Sequence, residues 1–444
     1  MNKYQPVIGL EVHIELSTKS KMFCNCSADY FGKEPNTHTC PICLGLPGAL
    51  PKANKKAIEY AQLLGLALNC QVQSSTKFDR KNYFYPDLAK GFQISQYDLP
   101  FSINGHLIVE SQESNKKIGI TRVHLEEDTG KLIHAQVNGK RVTLIDFNRS
   151  GVPLLEVVSE PDMNSAQEAK NYAQKLQQIV RYLTISDADM EKGSMRIEPN
   201  VSLRKVGKKT LPAYKVELKN INSFKFAEKA INYEIERQAE LLAKGEVPAQ
   251  ETRGWSEDQN KTVSQRSKEA AHDYRYFPEP DLPPFSFDQK YIYQLKTKLP
   301  ELPDEKQRRF IKKYRLSGYD TGILTREPSV ADYFEESVIT AGKTNISAKT
   351  IANVIINQKP DINSILPVQL VQNIQASRSA TIIDESEVAK IIEKVLSENP
   401  KAVLDYKKGK GNALMFLVGQ VIRLTTGKSD AQRIMILLKE KLDG

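Results

Sequence analysis

Alternation dominates the first two thirds of the chain. In "IGLEVHIEL", Leu10, Val12, Ile14 and Leu16 share one face of a strand, and Glu11, His13 and Glu15 share the other. "GITRVHLEEDTGK" repeats the theme with Arg122, His124 and Glu126, and places Glu127 and Asp128 at the strand's end. "SMRIEPNVSLR" sets Arg196, Glu198, Asn200, Ser202 and Arg204 opposite Met195, Ile197, Val201 and Leu203, with Pro199 marking an edge or a bulge. "YKVELKN" opposes Lys215, Glu217 and Lys219 to Val216 and Leu218. One helix interrupts the strands. Ser165 and Glu168 fit a capping box, and Ala169, Tyr172, Ala173, Leu176, Ile179, Val180 and Leu183 follow at helical spacing. After the proline-rich "EPDLPPFSFD" the pattern turns helical, in "ELPDEKQRRFIKKY", "PSVADYFEESVITAG", "SAKTIANVIINQ" and "IIDESEVAKIIEKVLSENPKAV". The expected class is α+β: a β-rich body over residues 1–295, a helical module over 296–370 and a tail module over 371–444.

Composition adds limits. The 444 residues carry a net charge of +9, which permits an anionic partner without demanding one. The start has no basic region leading into an unbroken apolar run, and no window reaches eighteen apolar residues without charge. Neither a signal peptide nor a membrane span is expected. A cytoplasmic protein is the expectation. Five cysteines in so long a chain do not make a disulfide scaffold. Four of them cluster: Cys24, Cys26, Cys40 and Cys43 give C-x-C, thirteen residues, then C-x2-C. Two close pairs across a short loop suit tetrahedral zinc, and four thiolates leave no open position, so a structural knuckle is expected. His38 is a substitute ligand, and four reduced thiols that merely cluster are the alternative. Cys70 reads as a buried apolar residue.

The polar strand faces carry the chemistry. Carboxylates converging from several strands repel one another unless a cation sits among them. Mg2+ takes oxygen ligands, and the lysines and arginines nearby fit phosphate. A salt-bridged, solvated sheet face is the competing reading. "GKT" at Gly342 and "GKS" at Gly427 lack the leading glycine of a P-loop, and no G-x-G-x-x-G occurs. Any ATP site would therefore rest on a sheet with acidic metal ligands.

The segments "VIGLEVHIEL", "RKNYFYPDL", "KGFQISQ", "GITRVHLEEDTGK", "NRSGVPLLEVVSEPD", "ELKNINSF", "QETRGW" and "DYRYFPEPDLPP", and the C-terminal "DYKKGKGNALMFLVGQVIRLTTGK", closely resemble the B-subunit family of aspartyl/glutamyl-tRNA amidotransferases. The resemblance implies a cradle-shaped, glutamine-synthetase-like body and helical and tail domains that touch tRNA. It implies ATP-dependent activation of the side-chain carboxylate of misacylated Glu-tRNA(Gln) or Asp-tRNA(Asn). Ammonia would come from an amidase (A) subunit, with a small C subunit completing a heterotrimer. By the same resemblance Glu11, His13, Glu127, Glu198 and Glu217 line the Mg-ATP site, and Lys81, Asn82, Arg149, Lys215 and Lys219 bind substrate or ATP. Strand period favours Glu126 where the resemblance favours Glu127; a bulge or twist at the strand end would reconcile them. Two departures stand out. "IEPN" at Ile197 replaces the family's Cys-Asp-Ala-Asn, and the stretch between "LVQNIQASRSA" and "IIDESEVAKI" is short by one or two helices. A pure RNA-binding protein and a free-standing amide ligase acting on small acids are the other readings; ATP cleavage only with misacylated tRNA separates them.

Overall fold

The computed structural model describes residues 3–110, 115–267, 273–379, 385–425 and 431–443. The chain forms two compact units, Met1–Lys306 and Gln307–Gly444.

A nine-stranded mixed sheet organises the first unit. Its strands are β1 (Tyr4–Glu15), β2 (Gln71–Val72), β3 (Ser102–Glu110), β4 (Asn115–Glu127), β5 (Pro153–Ser159), β6 (Met195–Lys205), β7 (Val216–Lys219), β8 (Glu251–Ser256) and β9 (Lys261–Ser267). In space they run β9-β8-β7-β6-β1-β5-β4-β3-β2, all antiparallel neighbours except the β7–β8 pair. The first strand of the sequence is thus central. Its even positions Ile8, Leu10, Val12 and Ile14 are buried in the main core. Three helices cover that face: α1 (Lys55–Ala67), α2 (Ala166–Tyr182) and α3 (Phe224–Ala243). They supply Ala61, Leu64, Tyr172, Leu176, Ala227 and Ile231 to the same cluster. Cys70 lies there too, as an apolar residue. Covering one face by helices leaves the odd face of β1 to polar side chains.

The cap of α2 uses both residues that the sequence marked. Ser165 accepts from the Glu168 amide, as the spacing predicts. The Glu168 carboxylate accepts from the Asn164 amide and from Lys116 Nζ.

The second unit is helical. Phe310, Phe334, Ile351 and Val371 belong to one buried cluster, and Val388, Leu417, Val421 and Leu438 to another. Helices occupy Pro328–Thr340, Ala348–Gln358 and Glu385–Glu398, where the apolar periodicity places them, and also Gly411–Leu424. In the last of these Leu414, Leu417, Val418 and Val421 are buried, with Ile422 half-buried against them. The expected shortening around residues 380–384 lies outside the described residues. Among the described residues no helix is long and apolar enough to cross a membrane.

Candidate active site and cysteine centre

A cavity of about 950 Å³ opens over the polar face of the sheet. Register explains its contents. Glu11 on β1 sits opposite Glu198 on β6, and His13 sits between Arg196 on β6 and Glu156 on β5. Glu156 is in turn opposite His124 on β4, and Asn200 is opposite Glu217 on β7. Cross-strand neighbours lie close enough for their side chains to meet. Two groups result. The ligand atoms of His13, Glu126 and Glu156 lie within 4.8 Å of one another, and so do those of Glu11, Glu198 and Glu217.

The first group is an imidazole–carboxylate lattice. His13 Nε2 is 3.4 Å from Glu156 and 3.9 Å from Glu126. His124 Nε2 is 3.2 Å from Glu156 and 3.6 Å from Glu126, and Ser95 donates to Glu126 at 2.9 Å. Burial opposes a charge on His13, but Glu156, then Glu198 and Glu126, outweigh it and push its pKa up to about 9. In the second group Asn200 donates to Glu11 at 2.9 Å, Lys219 to Glu198 at 3.0 Å and Thr252 to Glu217 at 2.8 Å. Burial raises the Glu11 pKa, helped by Glu156, Glu198 and Glu217 and opposed by Lys215. The second group is thus short of positive charge, whereas in the first the two imidazoles hold the Glu126 and Glu156 carboxyls below the ordinary carboxylate range despite burial. The donor set of the two groups, carboxylates with one imidazole, fits a hard divalent cation, and His13 Nδ1 is buried without a hydrogen-bond partner.

Competition between proton and cation at His13 gives a prediction. Below a pKa of about 9 the imidazolium must lose its proton before the ring binds metal. Mn2+ affinity should therefore rise roughly tenfold per pH unit from neutrality and level off near that pKa. His13→Gln should remove the slope. Affinity that is flat with pH in the wild type, measured by Mn2+ titration, would exclude His13 as a ligand.

Cations ring the lattice. Lys81, Arg149, Lys215 and Lys219 line the cavity, together with Arg122 and Arg196. Lys81 lies over Tyr274 at 4.9 Å and is held in its charged form against burial, chiefly by Glu126. Arg149 is aimed by two carbonyls, donating to Thr129 O at 3.0 Å and Gly130 O at 2.8 Å. Asn82 is placed elsewhere. Its amide donates to the carbonyl of Arg275 at 2.8 Å and does not line the cavity, so it acts as a tether for the 274–276 segment.

Glu127 also departs from expectation. Its carboxylate pairs with Lys90 and accepts the Ile94 amide at 3.0 Å, buried on the opposite side of the strand from the cavity. The reason is register. Pro153, Leu154 and Glu156 pair with Glu127, Glu126 and His124 without a break. The irregularity in that pair falls at Val158/Ser159, opposite Arg122 and Ile120 and away from the Glu127 end of β4. Alternation therefore continues through Glu126, which takes the cavity position. Glu156, which no motif singled out, completes the group. Its signal was present as one carboxylate in the apolar run "VPLLEVVS", on the alternate face from Leu155 and Val157.

The four cysteines come together as spaced. The sulfurs of Cys24, Cys26, Cys40 and Cys43 all lie within 4.8 Å of one another. Cys40 and Cys43 are 3.9 Å apart, close to the ~3.8 Å edge of a tetrahedron with ~2.3 Å zinc–sulfur bonds. The Cys40 amide points at Cys43 Sγ at 3.1 Å. His38 is not among the converging groups; its ring nitrogen meets Thr37. The centre is bonded to segments that carry cavity residues, β1 and the turn at Arg149. Tyr30, between the two pairs, donates to Glu15 at 2.9 Å, and Ser150 donates to the Cys43 carbonyl at 3.1 Å. Gly151 has φ +86°, and a Cβ there would stand 3.4 Å from that of Cys43, so glycine lets the turn after Arg149 close on the centre.

A sheet floor carrying two carboxylate-rich groups that could each hold a cation, inside a ring of Lys and Arg, is the kind of surface that suits an anionic, phosphate-bearing ligand. Comparison with known proteins supplies the family. Residues 6–293 match the GatB/GatE catalytic domain, and residues 337–442 match the GatB domain. The chain is 46% identical to the aspartyl/glutamyl-tRNA(Asn/Gln) amidotransferase B subunit of Carboxydothermus hydrogenoformans, across 100% of this chain and 99% of that protein. The Dehalococcoides mccartyi protein of the same name is 46% identical with full coverage of both chains, and that of Caldicellulosiruptor saccharolyticus 44% with 99% of each. The chain belongs to the B-subunit family of aspartyl/glutamyl-tRNA(Asn/Gln) amidotransferases. The first alignment spans 484 positions against 444 residues here, the excess being gaps in this chain.

Proposed function

We propose that this protein activates the side-chain carboxylate of misacylated Glu-tRNA(Gln) or Asp-tRNA(Asn) with ATP and presents it for amidation, as the B subunit of a heterotrimer. The observation that carries this reading is the pair of adjacent cation sites, His13–Glu126–Glu156 and Glu11–Glu198–Glu217, on one sheet face beneath a ring of cations. Divalent cations held there would neutralise charge on the phosphate oxygens. Lys81, Arg149, Lys215 and Lys219 would orient the γ-phosphoryl group against the substrate carboxylate. That carboxylate attacks phosphorus, ADP leaves, and an acyl phosphate forms. Ammonia from glutamine, released in the amidase (A) subunit, then attacks the acyl carbon and phosphate departs. The small C subunit would hold the other two together, in the cytoplasm. In this reading the first unit is the cradle-shaped, glutamine-synthetase-like body, with the cysteine centre as its zinc knuckle. The helical region divides into a 296–370 domain and a 371–444 tail.

The deciding assay uses the assembled complex with glutamine, ATP and each misacylated tRNA. ATP cleavage that depends on charged tRNA supports the reading. Cleavage without tRNA, or amidation of small free acids, would remove it. The tail gives a second expectation. Residues 401–444 hold nine Lys or Arg against four Asp or Glu; Lys407 and Lys408 are exposed where a helix ends in a glycine-bearing turn, and Lys410 beyond it pairs with Asp405 at 3.0 Å. Deleting 401–444 should weaken tRNA binding and flatten its salt dependence while sparing nucleotide binding. Unchanged tRNA affinity at low and high salt would assign the tail another role.

A further inference from the structure

Lys21 is among the largest side chains with no exposure at all. A buried ammonium is costly unless negative charge lies close by. Among the described residues no carboxylate pairs with it. Its Nζ donates to the His38 carbonyl at 2.7 Å, approaches the Phe147 carbonyl at 3.4 Å, and stands 3.7 Å from Cys43 Sγ. Carbonyl dipoles solvate an ammonium but do not neutralise it. The nearby group able to do so is the cysteine centre. Of its four residues, Cys24 and Cys43 are buried, while Cys26 and Cys40 are partly exposed. Four thiolates around a divalent metal carry a net charge of −2. One lysine reduces that to −1 at the ligand with which it is in contact.

We propose that Lys21 is the buried counter-cation of the metal-loaded cysteine centre and pins that centre to the turn presenting Arg149 to the cavity. The inference rests on the cysteines holding a metal. The pinning follows from the partners: His38 lies between the two cysteine pairs, and Phe147 lies two residues before Arg149. The same junction is laced by Asn148, which accepts the His38 amide at 2.7 Å. Lys21 is a positioning residue and touches no reacting atom. Groups of this kind that bond to ligands outside the metal's own coordination sphere govern its affinity by about 10–100-fold.

The test uses the purified 444-residue chain loaded with Zn2+ or Co2+. Lys21→Met removes charge and donor together; Lys21→Gln keeps a neutral donor for the His38 carbonyl and separates charge from packing. Both should give up zinc to a competing chelator with an affinity loss of at least about tenfold. Both should also shift the sulfur-to-cobalt charge-transfer band to lower energy, because Cys43 loses a cationic neighbour. A Lys21→Gln protein with wild-type zinc affinity and an unshifted band would overturn the inference, leaving Lys21 a packing residue. A wild-type chain that takes up no cobalt would remove the metal reading, and this inference with it.

Discussion

Glu126→Gln should lower tRNA-dependent ATP cleavage by roughly two to three orders of magnitude, while Glu127→Gln should leave the chemistry in place and cost stability instead. The two residues are neighbours, and a strand sends neighbours to opposite faces. Glu126 faces the cavity within reach of His13 and His124. An amide there keeps size and packing but loses the charge a divalent cation needs. Glu127 lies behind the strand, paired with Lys90, and both are largely buried. Leaving that lysine unpaired should cost about 3 kcal/mol or more, as for other buried pairs broken on one side. Steady-state ATP cleavage with misacylated tRNA and urea unfolding of each variant measure the two effects. If Glu127→Gln proved inactive at full stability and Glu126→Gln active, the assignment of the cavity carboxylate would be reversed.

Cys40→Ser should release bound zinc and lower the unfolding midpoint of the first unit by roughly 5 °C or more. Zinc binding to a four-thiolate centre contributes directly to folding, since the loop from Cys24 to Cys43 has little core of its own. Phe31 and Leu46 are exposed within or beside it. The loss should spread beyond the loop, because Tyr30 holds Glu15 and Ser150 is bonded to Cys43. Metal content by mass spectrometry and calorimetry of the same samples provide the check. A variant equal to the wild type in both zinc and melting temperature would mean that the cysteines are simply reduced thiols.

Legibility differed from part to part for physical reasons. The C-x-C and C-x2-C pairs were readable because each pair is local and the turn residues between them bring the pairs together. The helix Ala166–Tyr182 was readable because its cap and its apolar stripe agree. Glu11, His13, Glu198 and Glu217 were readable as polar residues on alternating strands, and the fold brings all four to one cavity. Glu127 was misplaced because motif matching assigns a position without asking which way the strand faces; the alternation itself favoured Glu126. Asn82 was misplaced for a related reason: a strand residue of the right type spends its amide on the backbone carbonyls of a segment nearly two hundred residues away.

The sequence by itself determined which residues alternate, where helices begin, and that four thiols would lie close enough for one metal. These are matters of local period and short loops. Only the tertiary structure decided that β1 is central, that Glu156 and Glu126 share His13, and that the cavity carboxylates gather into two groups. Those facts depend on strand order and register, set by how the apolar faces of distant strands pack beneath three helices. It also placed Lys21 against Cys43. A lysine two residues before "FCNC" reads as solvated until the fold closes over it, and no local pattern records which groups will then surround its charge.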